Sequence, residues 1–159
     1  MKRVGNKMKK LLLTASLLMF ATQASAWVSK GFIPANVSLV SVDIKDQASD
    51  GCWTNIGEVK RYAEDKLELA GFKVSREKFQ WYENDRHYIL SIMVNSSRNV
   101  STCFGNIEFG LAKFIKSNNM EGMYLVGQYG SNFTGTENAN QYTLKLMGGF
   151  MEEVEDPQW

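Results

Sequence analysis

The chain has 159 residues with 18 basic and 17 acidic side chains, a length suited to one domain with a genuine core. Five of the basic residues, Lys2, Arg3, Lys7, Lys9 and Lys10, fall in the first ten positions. From Trp27 onward thirteen basic residues face seventeen acidic ones, a net charge near −4. A mildly acidic domain of this kind has no electrostatic footprint for nucleic acid or anionic lipid, and those partners are excluded.

Residues 1–26 have the layout of a cleavable secretory signal. A basic start without acids is followed by the apolar run Leu11–Ala21 and then by small residues at Ala24-Ser25-Ala26. The run is too short to span a bilayer, and no cysteine stands near the cleavage site to take a lipid. The expectation is cleavage after Ala26 and a single exported domain, 27–159, in the bacterial periplasm or outside the cell. The lysine-led signal is bacterial in style, so the Asn-x-Ser/Thr sequons at Asn36, Asn95, Asn99 and Asn132 are read as chance.

Two cysteines remain, Cys52 and Cys103, and in an oxidising compartment an even pair reads as a disulfide. Paired in that way, they serve neither as nucleophiles nor as metal ligands.

Trp27 to Ala35 is a lead-in segment. Val37 to Ile44 alternates as a first strand, with Val40, Val42 and Ile44 on one face. Ile56, Val59, Ala63, Leu67 and Ala70 then recur at helical spacing. Asn55 is placed to cap that helix, Glu58 to close a capping box, and Gly71 to end it in the left-handed conformation.

Phe72 to Tyr82 reads as a second strand whose apolar phase changes between Val74 and Phe79. Glu83 to Arg86 is a turn, and the apolar run Tyr88–Val94 is a central strand buried on both faces. Val100 to about Lys113 is a long strand bearing Cys103, with a kink expected at Gly105. Met123 to Tyr129 is the fifth strand, between a loop at Lys116–Gly122 and a mobile polar loop at Gly130–Gly135. Tyr142, Leu146, Phe150 and Val154 form one stripe of a second helix that ends before Pro157, with Gly148 and Gly149 allowing close approach to the first. The order β-α-β-β-β-β-α predicts an α+β, two-layer sandwich: a five-stranded, mostly antiparallel sheet with two helices on one face.

Catalytic signatures are sparse. His87 is the only histidine, which removes multi-imidazole zinc sites and H-E-x-x-H proteases. There is no G-x-S-x-G elbow and no phosphate-binding G-x-x-x-x-G-K-[ST] loop. No metal or cofactor is expected. Glu83 and Asp85 stand close enough in sequence to orient His87 as a general base, although a turn-flanking histidine is the simpler reading. The acidic cluster Glu152, Glu153, Glu155 and Asp156 reads as a solvated helix end.

Aromatic side chains cover large areas at low entropic cost, and Phe79, Trp81, Tyr82 and Tyr88 flank one predicted hairpin, with Trp53 before the first helix. These five form the candidate partner surface. The leading expectation is a non-enzymatic domain that binds a protein partner in the cell envelope or outside the cell. The alternative is a binder of a small apolar or amphipathic ligand between sheet and helices. A third is a hydrolase using His87 with a carboxylate.

Overall fold

The structure, a computed structural model, describes residues 27–77, 86–117, 120–135 and 138–156. The described chain forms β1 (Trp27–Val28), a 3-10 turn (Pro34–Asn36), β2 (Leu39–Ala48), α1 (Ile56–Leu69), β3 (Val74–Ser75), β4 (His87–Asn99), β5 (Thr102–Ser117), β6 (Met120–Gly135) and α2 (Asn140–Glu155). No helix among these residues is long and apolar enough to cross a membrane. The signal-like segment 1–26 lies outside the described residues.

The strands join one curled sheet in the order β1-β6-β5-β4-β2-β3. The class is α+β with two helices, as expected, but the sheet has six strands rather than five and is not a flat two-layer stack. The added strand comes from the lead-in, where Trp27 and Val28 pair antiparallel with Gln128 and Gly127. β2 lies between β3 and β4 and is parallel to both, while β4, β5 and β6 form an antiparallel meander. Of the predicted second strand, the described residues 72–77 contribute Val74–Ser75, and the phase change at Phe79 falls outside the described residues. The predicted polar loop at Gly130–Gly135 is the last part of β6.

Strand alternation sorts the sheet into two faces. On one, Val40 and Val42, Leu90, Ile92 and Val94, and Ile107, Phe109 and Leu111 are buried against Val59, Ala63 and Leu67 of α1 and Leu146, Met147, Phe150 and Met151 of α2. The rings of Phe109 and Phe150 stack at 5.8 Å between centroids. Gly149 lies under Tyr129, where a Cβ would stand 3.3 Å from the Tyr hydroxyl, and Gly148 faces Tyr62 of α1.

The ends of α1 follow from its sequence. Gly71 has φ +90°, Phe72 N–H donates to Leu67 O and Gly71 N–H to Glu68 O, both at 3.0 Å. That is a Schellman stop, with Phe72 and Leu67 both buried beside it. The predicted capping box is altered. Asn55 Nδ2 donates to Glu58 Oε2, but its Oδ1 accepts the Trp53 indole N–H instead of a helix N–H. Gly105 is not a kink. β5 runs straight through it opposite Ser96, and a Cβ would run into the Asn95 carbonyl oxygen.

Cys52 and Cys103 form a disulfide with Cα atoms 5.7 Å apart, tying the entry of α1 to β5. The same corner holds the start of α2: Ala139 N–H donates to Cys52 O, and Thr54 and Asn140 exchange two hydrogen bonds.

Candidate functional site

Both helices lie on one face of the sheet, and among the described residues no helix covers the other face. It is built from Asp43 and Lys45 of β2, Ile89, Ser91 and Met93 of β4, Glu108, Gly110 and Ala112 of β5, and Met123, Leu125 and Gln128 of β6. Small residues at Ser91, Gly110 and Ala112 let the curled sheet dip there into an open groove of about 520 Å³. Ile89 and Ala112 are its buried apolar floor; Asp43, Lys45 and Glu108 are polar at its rim. β4 is thus central as predicted, but its second face is the floor of a groove rather than a second core.

One wall of the groove runs into a projecting arm. Pairing of β4 with β5 extends from Asn99–Thr102 to Tyr88–Lys113, whereas pairing of β5 with β6 continues to Ser117–Met120. The hairpin therefore passes beyond the paired part of β4. Its register puts Met123 and Leu125 on the groove side and Ile115 and Tyr124 on the opposite side. All four are exposed: Ile115 39%, Met123 45%, Tyr124 56% and Leu125 42%. Tyr124 and Leu125 stand level with Tyr88 and Ile89 of β4, and Lys113 shares the Tyr124 side directly across from it. A Lys116–Glu121 ion pair at 2.9 Å crosses the arm near the tip.

Of the five aromatic residues expected from sequence to form a partner surface, the structure describes Trp53 and Tyr88. Trp53 is buried, its indole N–H held by Asn55 at 3.0 Å. Tyr88 is buried on the helix face, its ring 5.2 Å from Phe32, which in turn stacks on Phe72. Neither offers a docking surface; both are core. Phe79, Trp81 and Tyr82 lie outside the described residues. Four of the exposed apolar residues that sequence reasoning missed, Ile115, Met123, Tyr124 and Leu125, cluster on the β5–β6 hairpin; Ile33, Leu69, Val100 and Phe104 are exposed elsewhere. The signal available for the hairpin cluster is the stretch 122–136, which carries neither a charge nor a proline.

His87 opens β4, buried, and shares a 3.0 Å hydrogen bond between Nε2 and the equally buried Ser41 Oγ. Burial lowers its pKa from the usual histidine value, since the imidazolium loses hydration there. Strand alternation puts the pair on the groove side of the sheet, Ser41 opposite Ile89, although neither residue is part of the groove lining. Glu83 and Asp85 lie outside the described residues. An S-x-x-K spacing, Ser75 to Lys78, begins on the last residue of β3; there Arg76 turns to Asp65 and Glu68 of α1 at 3.3 and 3.1 Å.

No group of three or more His, Cys, Asp or Glu among the described residues is arranged to hold a metal ion. Of the C-terminal acids, Glu152 and Glu153 act on Tyr129, whose pKa is raised by burial first, then by Tyr142 and these two carboxylates.

The space expected to take a small ligand, between sheet and helices, is filled by core side chains. A shallower hollow of about 500 Å³ lies between the end of β6 and α2, where Phe133 and Tyr142 meet at 5.8 Å beside Asn132, Asn138 and Gln141.

No protein-family model matches the chain, and no curated protein matches it in sequence. Solved structures do. A PelC dodecamer from Paraburkholderia phytofirmans is 14% identical, with 85% of this chain and 98% of that one aligned, at a TM-score of 0.50. Hypothetical protein CT253 of Chlamydia trachomatis aligns over 75% of this chain and 96% of its own, at 9% identity and a TM-score of 0.42. Lipoprotein GNA1162 of Neisseria meningitidis aligns over 74% and 97%, at 12% identity and 0.39. At such identities the likeness to PelC is one of fold.

Proposed function

We propose that this protein is an exported, non-enzymatic interaction module of the bacterial cell envelope, and that the partner it engages first is another copy of itself. The observation that carries this reading is the face opposite the helices, where an apolar groove runs into an arm exposed on both sides. Contiguous apolar surface of that kind is characteristic of protein contacts, whereas single exposed apolar residues are ordinary. The buried Cys52–Cys103 bond supports an oxidising compartment, and the basic and apolar segments of residues 1–26 support export. The PelC structure that shares the fold is a dodecamer, which supports self-assembly as the use of that face.

Sedimentation of the oxidised protein purified from the envelope fraction tests the reading. A species heavier than a monomer is expected. A chain that stays monomeric up to roughly 100 µM, an association weaker than about 5.5 kcal/mol, overturns it.

A second reading, a binder of a small apolar ligand, draws on the groove volume of about 520 Å³, within the usual range for ligand sites. Saturable one-to-one binding of a fluorescent fatty acid, lost in Ile89→Glu, is its signature.

A further inference from the structure

The apolar groove adjoins a polar hollow of about 360 Å³, and the two share Glu108 and Gln128 in their walls. We infer that together they form a site for a single-chain amphiphile with an ammonium head, its tail along Ile89 and Ala112 and its head over Gly130. This rests on the ligand reading above and names the chemistry of that ligand.

Strand register sets the order of the two parts. Across β4, β5 and β6 one row of the open face is Ile89, Ala112 and Leu125, and six residues along β4 the row is Asn95, Asn106 and Asn132. Apolar side chains thus give way to amides over about 20 Å, at about 3.3 Å per residue. A tail at one end and a polar head at the other follow that gradient. The groove volume of about 520 Å³ lies within the range of sites for one small ligand.

Charge selects the head. Glu108 is the one charged residue among those lining the hollow. Asn106 Nδ2 donates to its Oε1 at 2.7 Å, and among the described residues no cation pairs with it. Asp43 and Lys45 belong to β2, two strands away on the far side of the groove. Trp27 pairs with Gln128, so its side chain lies on the same face and lines the hollow with Glu108. Gly130 keeps the floor open, since a Cβ there would stand 3.3 Å from Glu108 Cγ. A carboxylate and an aromatic ring around one space attract an ammonium, the first by its charge and the second through the negative face of the ring. A fatty-acid carboxylate meets Glu108 with like charge.

Titration calorimetry on the oxidised protein from the envelope fraction tests this with dodecyltrimethylammonium, dodecyl maltoside and laurate, each below its micellar concentration. Roughly pH 9 is used, where an α-amine left on Trp27 by cleavage is mostly uncharged. The ammonium amphiphile is expected to bind one to one, about tenfold tighter than laurate. Glu108→Gln, which keeps an acceptor for Asn106, should erase that preference and leave dodecyl maltoside unchanged. Glu155→Gln makes the same charge change on the helix side and should preserve it. Glu108→Ala replaces Glu108→Gln if the latter loses the wild-type melting temperature.

Equal affinity for all three, tighter binding of laurate, or a preference that survives the Glu108 change overturns the ammonium site and leaves the ligand reading standing. If none of the three binds, that reading falls and the site with it.

Discussion

Breaking the Cys52–Cys103 bond releases a loop with a sequence separation of 51. Closing a loop of that length removes about 14 cal/mol/K of entropy from the unfolded chain, or about 4 kcal/mol at 25 °C. An unfolding entropy of about 2.1 cal/mol/K per residue gives the domain about 280 cal/mol/K, so the melting temperature should fall by about 14 °C. Both sulfurs are fully buried, and the Cys52 carbonyl also accepts the N–H of Ala139 at the start of α2. Loss of the bond is therefore expected to loosen the α2 start as well as the α1 entry. Thermal melts of the oxidised protein, the reduced protein and Cys52→Ala/Cys103→Ala measure this, with the reduced form separating the cross-link from the volume lost in the double variant. Amide exchange at Asn140–Thr143 reports on α2. A reduced protein that melts within about 3 °C of the oxidised one would refute the reasoning, since a loop of this length then constrains little in the unfolded ensemble.

Gly105→Ala should destabilise by about 2–3 kcal/mol, read in a urea titration, because its Cβ meets the Asn95 carbonyl oxygen and lies 2.7 Å from Ser96 Cα, both backbone. Val100 sits at the β4–β5 turn, 93% exposed, with φ +56°, a conformation that β-branched residues resist. Val100→Gly should stabilise by about 1 kcal/mol and raise the melting temperature by roughly 3–4 °C. The depressed pKa of His87 means the unfolded chain takes up its proton first as pH falls. Its contribution is present above about pH 6.5 and lost as pH falls through the folded pKa, with a slope of at most about 1.4 kcal/mol per pH unit, and His87→Gln should flatten urea titrations over that window.

The parts of the fold legible in sequence are those whose cause is local. The 3.6-residue stripe of α1, its stop at Gly71 and the pairing of two cysteines need little beyond neighbouring residues and the compartment. β6 was not legible past Tyr129 because Gly130, Ser131, Asn132 and Thr134 have turn composition. In the sheet Gly130 lets β5 approach, a Cβ there lying 3.1 Å from Ile107 O, and Ser131 meets the Tyr142 hydroxyl at 3.1 Å. β1 owes its existence wholly to pairing with β6, which no two-residue pattern reveals. For the site, aromatic content alone did not separate surface from core. Phase did carry a signal: Tyr88 falls in step with Leu90, Ile92 and Val94, all buried on the helix face. Trp53 had no such periodic neighbour.

The two edges of the sheet are treated differently, and the difference bears on the proposed assembly. Beyond the short cover of β3, the β2 edge exposes Lys45, Asp46 and Gln47, and Asp46 Oδ1 accepts the Ala48 N–H at 2.9 Å. Charges and a side-chain cap of this kind keep foreign strands away. On the other side β1 pairs only with Gly127 and Gln128 of a sixteen-residue strand, and residues 122–136 carry no charge and no proline. A long neutral strand with exposed Met123, Tyr124 and Leu125 is an aggregation hazard unless something covers it. Leaving one side of the sheet unguarded while guarding the other is thus consistent with the proposed self-assembly, in which the unguarded side is covered.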